Sequence, residues 1–384
     1  MSEEAPPEPD RIEGAPHPRE TARLFGQDAA EAAFLEAYNG GRLHHAWLLA
    51  GPRGVGKATL AWRIARFLLA TPERDGDGLF GDTPPLPESL EIAPEHPVAR
   101  RIMAGSEPGL KLIRRGGVGK NEQERARAFL EGKFSKDIRV DEVRELTPFL
   151  SLSAIEGGRR VVIVDIADEM NTHAANALLK MLEEPPAKTT LLLVSHQPSK
   201  LLPTIRSRCR ELRLAPLGPE AMTAALAQAN VYPEPGSEAA LAVLSGGSVG
   251  EAVRLINLGG LKIYADLVSL MGTLPRLERP RALTLAGEAA ARGAGATFDL
   301  MIGLIEMFLA RLARAGALGA SEAEGAPGEA ALLTRLSPDA HHARKWATAA
   351  DALGERMRHG QSVNLDPAAL ILDTILKIRD TAAG

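Results

Sequence analysis

The stretch GPRGVGKATL, which runs from residue 51 to residue 60, nearly matches the phosphate-binding pattern G-x-x-x-x-G-K-[ST]. Gly51, Gly56 and Lys57 stand at its fixed positions, whereas Ala58 stands where a hydroxyl would bind magnesium. Thr59 follows one residue later, about 100° further around a helix, so its hydroxyl is predicted to point elsewhere. The stretch therefore predicts a phosphate-binding loop that lacks its metal ligand.

The residues around this loop predict a strand before it and a helix after it. HHAWLLA, at residues 44–50, is a short apolar run of the kind found in buried strands. From Lys57 the chain has one apolar stripe at helical spacing: Leu60, Ile64, Phe67 and Leu68. Strand, glycine-rich turn and helix form the context in which the pattern predicts a real site.

Further apolar runs predict a parallel sheet. Strands are expected at Leu110–Ile113, Arg159–Asp165 and Thr189–Ser195, and a helix begins near Asn171. Alternating strands and helices favour a parallel sheet, whose ligands bind at the carboxyl ends of the strands. Asp165 ends its strand at that edge and fits the acid that holds a magnesium shell. The residues predicted to form the nucleotide site, in active or vestigial form, are Gly51, Gly54, Gly56, Lys57, Thr59 and Asp165.

A catalytic base is missing from the expected place beside Asp165. The next residue is Ile166, whose apolar side chain accepts no proton. Asp168 lies two residues further on and is a weak candidate to substitute, because acids are also common at a solvated helix start. At the other end of the same predicted helix, Glu183 and Glu184 have the sign that the helix dipole disfavours, and the sequence does not explain them.

The basic run IRSRCRELR, at residues 205–213, has two interpretations. Arg206, Arg208, Arg210 and Arg213 could simply form an exposed basic turn. Alternatively, Arg208 is an arginine finger that points at a nucleotide on a neighbouring subunit, where such a group is worth about 10³–10⁵ in rate. The residues alone leave both interpretations open.

Composition and the positions of proline and glycine predict four segments. Residues 1–20 are acidic and proline-rich and predict a disordered arm. An α/β domain is expected at 21–216, with an exposed Pro- and Gly-rich insertion at 71–97. Short helices separated by glycine predict a small helical domain at 217–262, and the helical pattern at 263–384 predicts an all-α C-terminal domain.

The overall composition excludes several classes of protein. The 384-residue chain has a formal net charge of −4, so no global positive field attracts it to nucleic acid. Cys209 is the one cysteine, which excludes an internal disulfide and a cysteine-rich zinc module; no metal site is predicted. No apolar run has the length of a membrane span, and the N-terminus lacks the features of a signal peptide. These features favour the cytoplasm.

Three stretches together carry a family resemblance: GRLHHAWLLAGPRGVGKATLA, NALLKMLEEPP and LLPTIRSRCR. In this order they resemble the bacterial clamp-loader ATPases of the AAA+ class, over roughly Leu24 to Leu258. The resemblance implies a P-loop NTPase domain with a parallel sheet, followed by a helical lid domain and an all-α collar domain. It also implies a pentameric ring, with gamma/tau and delta subunits, the sliding clamp and primed DNA as partners. Neither a membrane nor a small-molecule substrate is implied.

At three positions this chain departs from the motor subunits of that family, and there it resembles the family's rigid stator. The motors carry a hydroxyl, an acid and an arginine where this chain has Ala58, Ile166 and Gly250. Arg208 matches the arginine of the family's SRC triplet, which acts in trans on the adjacent motor. The resemblance thus implies no catalytic group in cis and no required cofactor, and it leaves ATP or ADP binding doubtful.

Three other functions compete with the stator hypothesis. An active motor subunit would turn over ATP without partners. A P-loop kinase or transferase would need polar groups for a second substrate, and the sequence offers no such cluster. A direct DNA binder would be expected to carry a basic surface with aromatic stacking residues, which the charge and composition do not favour.

Overall fold

The computed structural model describes residues 7–12, 14–71, 85–151, 158–291, 294–320 and 323–383. The chain divides into two compact units. The first unit comprises Met1–Asn230 with Ser248–Gly250, and the second comprises Val231–Gly247 with Glu251–Gly384. The finer three-domain division, with boundaries after residues 216 and 262, stays a prediction.

A five-stranded, wholly parallel sheet forms the centre of the first unit. The strands are β1 (Ala46–Ala50), β2 (Leu110–Ile113), β3 (Arg160–Val164), β4 (Thr189–Ser195) and β5 (Arg210–Arg213), in the order β2-β3-β4-β1-β5. The first four confirm the strands predicted from apolar runs. The fifth was missed, because in β5 only Leu212 is buried, and a strand of exposed charges is typical of a sheet edge.

Helices precede and follow the strands of this sheet along the chain. They are α1 (Asp28–Asn39), α2 (Lys57–Ala70), α3 (Pro97–Met103), α4 (Glu122–Leu130), α5 (Val140–Arg144), α6 (Leu146–Ser151), α7 (Thr172–Glu183), α8 (Pro203–Arg206) and α9 (Pro219–Gln228). The predicted stripe of α2 is buried throughout. Asn171 caps α7 by accepting the backbone N–H of Ala174, and Pro185 and Pro186 follow its end.

The second unit is helical, as the sequence predicts for this part of the chain. Its helices are α10 (Glu238–Ser245), α11 (Val249–Asn257), α12 (Gly260–Gly272), α13 (Arg279–Ala289), α14 (Gly295–Leu318), α15 (Glu329–Leu336), α16 (Ala340–Ser362) and α17 (Pro367–Ala383), with the first residues of α11 assigned to the first unit. Among the described residues no single helix has the length and apolarity of a membrane span; only α11 and α12 taken together do, and they are bent by 78°.

The prediction of a disordered arm at 1–20 is wrong for the described residues 7–12 and 14–20. His17 is 0% exposed, and its Nε2 lies 2.9 Å from a carboxylate oxygen of Asp10. Arg19 donates to Glu8 over 2.9 Å, and Arg114 of the first unit pairs with both acids. The composition predicted disorder, but the acids of this segment find basic partners far along the chain.

The predicted exposed insertion at 71–97 is only partly described. Residues 72–84 lie outside the described residues. Residues 85–96 contain neither helix nor strand, in agreement with the prediction, but Leu90 is buried and Pro87 accepts a hydrogen bond from Asn39.

Candidate functional site

The loop between β1 and α2 is a tight turn whose backbone requires glycine at several positions. Gly51, Gly54 and Gly56 all have φ in the left-handed region, at 153°, 75° and 101°. At Gly51 a Cβ would come within 2.4 Å of the carbonyl oxygen of Leu214, so only glycine fits there. The sequence therefore folds into the turn that its glycine spacing predicts.

Lys57, the lysine of the loop, is 2% exposed and its amine contacts the loop itself. Its Nζ donates to the carbonyl oxygen of Gly51 over 2.7 Å and to that of Pro52. Burial lowers the pKa of Lys57 to about 8, and the charges of Asp168 and Asp165 oppose that change. Two of its donors are thus used within the loop.

Asp165 lies directly after β3, as predicted, and is 5% exposed. Burial raises the pKa of its carboxyl to about 7, and the nearby charge of Asp10 adds to the rise, whereas Arg114 and Lys57 oppose it. Ile166 follows in the left-handed region at φ 63° and is buried. Lys57 and Asp165 thus lie close enough for the charge of each to affect the pKa of the other. The residue after Asp165 is not a base.

Asp168, the weak candidate for a substitute base, already accepts a hydrogen bond. Its Oδ1 lies 2.9 Å from the backbone N of His196, the residue after β4. Burial lowers the pKa of His196 to about 4, and the charge of Lys57 adds to the change. Asp168 therefore ties the ends of β3 and β4 together, which accounts for it structurally.

Two segments outside the loop lie directly against it. Gly250 donates its backbone N–H to the carbonyl oxygen of Gly54 over 3.2 Å, and a Cβ at Gly54 would come within 2.3 Å of Ser248 Oγ. A Cβ at Gly250 would come within 2.7 Å of Ile12 Cδ1 and 3.1 Å of Gly54 Cα. At Gly56, a Cβ would meet Leu24 Cδ1 at 2.5 Å. The start of α11 and Leu24 therefore pack on the loop, and Ile12 packs on Gly250.

The contacts of the N-terminal segment, residues 7–12 and 14–20, were not predicted from sequence. Glu8, Asp10 and His17 each place one potential metal-ligand atom within 4.8 Å of the others. However, the two acids are already paired with Arg114, which directly follows β2, and Glu8 is also paired with Arg19. Charge neutralisation by arginine accounts for this cluster without a metal ion. The only sequence signal was the alternation of acids and bases in PEPDRIEGAPHPRE.

Arg208, the predicted finger, lies between α8 and β5 with its side chain 37% exposed. Its Nη2 is 3.0 Å from an Oε1 of Glu183, at the end of α7, and its Nη1 donates to the carbonyl oxygen of Thr204 over 3.0 Å. The next residue, Cys209, is partly buried, and burial raises the pKa of its thiol to about 12. Neither Lys57 nor Asp165 is among the contacts of Arg208 within the described chain.

The other arginines of this run differ in their surroundings. Arg206 is exposed at the end of α8, and Arg213 pairs with Glu211 on the same strand. The guanidinium of Arg210 lies 5.2 Å from the ring centre of Trp47. The run is therefore a short helix, a turn and an edge strand rather than the single basic turn of the first interpretation.

Known proteins with similar sequences include several subunits of DNA polymerase III. A family model described as DNA polymerase III, delta subunit, matches residues 26–218, which is half of the chain. The DNA polymerase III subunit delta' of Pseudomonas aeruginosa is 40% identical over 60% of this chain and 61% of that protein. The subunit delta' of Escherichia coli is 33% identical over 58% of this chain and 57% of that protein.

A related subunit also matches at lower coverage. The DNA polymerase III subunit gamma/tau of Mycobacterium tuberculosis is 31% identical over 55% of this chain and 31% of that protein. The chain spans less than two thirds of the length of the delta' relatives it matches. The family model covers the part of the chain that contains the sheet and the loop.

Proposed function

The chain belongs to the family described as DNA polymerase III, delta subunit, and on that basis we propose that it is a clamp-loader subunit that does not hydrolyse ATP. It acts as a rigid stator and supplies Arg208 to the nucleotide of an adjacent ATPase subunit. One contrast carries the proposal: Lys57 is 2% exposed and bonded to its own loop, whereas the Arg208 side chain is 37% exposed.

The residues of the loop do not fit a magnesium nucleotide. Ala58 supplies no metal ligand, and the amine of Lys57 donates to carbonyl oxygens of the loop rather than facing a free phosphate site. Gly250 lies directly against Gly54 of the loop, and Ile12 in turn lies against Gly250. These observations support a subunit that requires no cofactor and keeps the cradle as architecture.

Arg208 would act through its charge. A guanidinium placed at a neighbouring triphosphate offsets the negative charge that develops on the transferred phosphoryl group, an effect worth about 10³–10⁵ in rate at that site. The partners in this role are gamma/tau and delta subunits, with the sliding clamp and primed DNA engaged through the assembled complex. The chain would therefore work in cytoplasmic DNA replication, without a small-molecule substrate of its own.

The proposal is tested with variants in the reconstituted complex. We expect Arg208→Ala to lower both ATP hydrolysis and clamp loading, because one ATPase site loses its finger. Lys57→Ala is expected to change both little. If Lys57→Ala stops clamp loading as completely as Arg208→Ala does, the stator proposal is wrong.

An ATP-hydrolysing motor subunit is the second candidate function. The observation that favours it is the intact glycine geometry of the loop, at Gly51, Gly54 and Gly56, together with the similarity to gamma/tau. Purified chain with magnesium and ATP distinguishes the two candidates. Turnover without partners supports the motor, whereas its absence, with weak nucleotide binding in a titration, supports the stator.

A further inference from the structure

The end of α7 carries two acids whose position is unfavourable for the helix. Glu183 and Glu184 stand at the C-terminal end, where the helix dipole disfavours negative charge. In the structure the two are not equivalent. Glu183 lies 3.0 Å from Arg208, whereas Glu184 is exposed and has no side-chain partner among the described residues. The contact with Arg208 thus gives Glu183 a specific role that its place on the helix does not.

Two protein contacts fix the orientation of the Arg208 guanidinium and still leave donors free. A guanidinium has five N–H donors. Nη2 is held by the carboxylate of Glu183 from α7, and Nη1 by the carbonyl oxygen of Thr204 from α8. The remaining donors belong to a side chain that is 37% exposed. The group is therefore oriented by two separate elements while part of it can meet a phosphate.

Stability does not explain the pair. Both side chains are more than one third exposed, and exposed ion pairs contribute little to the free energy of folding. Holding a long side chain in one orientation, in contrast, lowers the entropy that it must lose when it contacts a charged group. The natural consequence of this geometry is preorganisation of the finger.

We propose that Glu183 is a positioning residue that presents Arg208 to the neighbouring subunit's nucleotide, an inference that rests on the proposed function of Arg208. Arg208 touches the phosphates, and Glu183 acts only through Arg208. The contact between Glu183 and Arg208 connects the stretch NALLKMLEEPP with the SRC triplet, because the end of α7 meets the turn between α8 and β5 there.

The test uses the full complex with Glu183→Ala, Glu183→Gln, Arg208→Ala and the double variant, and Glu184→Ala is the matched control. We expect Glu183→Ala to lower kcat for ATP hydrolysis at the affected site about 10-fold without changing KM, since a misplaced catalytic group costs rate. Glu183→Gln keeps an acceptor and should recover part of the rate. In the Arg208→Ala background, Glu183→Ala should cause no further loss.

The outcomes separate this inference from the function on which it rests. If Arg208→Ala lowers hydrolysis but Glu183→Ala matches the unsubstituted complex, the positioning role is wrong and the finger remains. The role is also wrong if Glu183→Ala lowers the rate further in the double variant, or if Glu184→Ala has the same effect as Glu183→Ala. If Arg208→Ala itself has no effect, both the finger and its positioning fail.

Discussion

Gly250 donates its backbone N–H to the carbonyl oxygen of Gly54 over 3.2 Å, so the first residues of α11 lie directly on the phosphate-binding loop. The family resemblance implies an arginine at position 250 in a motor subunit. A Cβ there would already stand 2.7 Å from Ile12 Cδ1 and 3.1 Å from Gly54 Cα. Restoring that arginine is therefore not expected to restore hydrolysis.

We predict that Gly250→Ala lowers the free energy of unfolding by about 1–3 kcal/mol, because overpacking forces the backbone and Ile12 apart. Urea denaturation measures the change. Gly303→Ala is the control, since Gly303 lies in α14 with nothing within 4 Å of an added Cβ and should be neutral or stabilising by up to about 1 kcal/mol. Equal stability of Gly250→Ala and the unsubstituted chain would contradict this packing.

Arg114→Ala is predicted to release the N-terminal segment from the first unit. Arg114 pairs with Glu8 and Asp10, both nearly buried, so its loss leaves two acids with less compensation. Trypsin should then cleave after Arg11 much faster. The fluorescence of Trp62, whose ring meets that of His17 edge-on at 5.7 Å, should shift to longer wavelength.

The control for this release is Arg127→Ala. Arg127 also pairs with a glutamate, but its side chain is 83% exposed on α4. Cleavage after Arg11 should stay slow in that variant. If Arg114→Ala is cut no faster than Arg127→Ala, Arg114 does not hold the segment.

Asp165→Asn should stabilise the chain in a way that depends on pH. The pKa of Asp165 is about 7 in the folded chain against its ordinary 3.8, so the fold favours the protonated acid. The protonated carboxyl stabilises the fold fully below the unfolded pKa of 3.8, and this contribution is lost as the pH rises through the folded pKa of about 7. The stability advantage of the variant should therefore grow from about pH 4 to pH 7, to roughly a few kcal/mol, and then level off.

Urea denaturation of both proteins at a series of pH values measures this difference. Subtracting the two curves removes the titration of groups that the proteins share. A difference that stays constant from pH 4 to pH 8 would show that the carboxyl of Asp165 titrates normally.

In the second unit we predict unequal costs for two substitutions in one buried network. Glu329 is fully buried and accepts from Tyr264 Oη over 2.6 Å, from Arg311 Nε over 2.5 Å and from the backbone N–H of Gly325 over 2.6 Å. Glu329→Ala leaves Arg311 without its buried partner and should cost about 3–5 kcal/mol. Tyr264→Phe removes one bond and should cost about 1 kcal/mol. Urea denaturation followed by circular dichroism compares them, and equal costs would contradict the network.

The sequence predicted features of the fold that depend on local pattern. β1 to β4 are short, mostly apolar runs, and α2 has a stripe that repeats at helical spacing, so each was recognisable by itself. β5 was not, because a strand at the sheet edge can be mostly charged.

The candidate site was predictable only in part, for a related reason. The glycines and Lys57 follow a spacing rule, and Asp165 ends an apolar strand, so each was visible in the sequence. The partners of Asp10 and Arg208 follow no such pattern. Arg114 lies about a hundred residues from Asp10, and Glu183 lies on α7, whereas Arg208 lies in the turn after α8. Such charge pairs depend on the tertiary fold and leave no periodic signal in the sequence.

The amine of Lys57 donates to the carbonyl oxygens of Gly51 and Pro52, so the loop itself supplies partners for this charge. We therefore expect the geometry of this protomer to be insensitive to the cellular ratio of ATP to ADP. Whatever the energy charge of the cell, the surface that it offers to its neighbours would stay the same, and only the other protomers would respond.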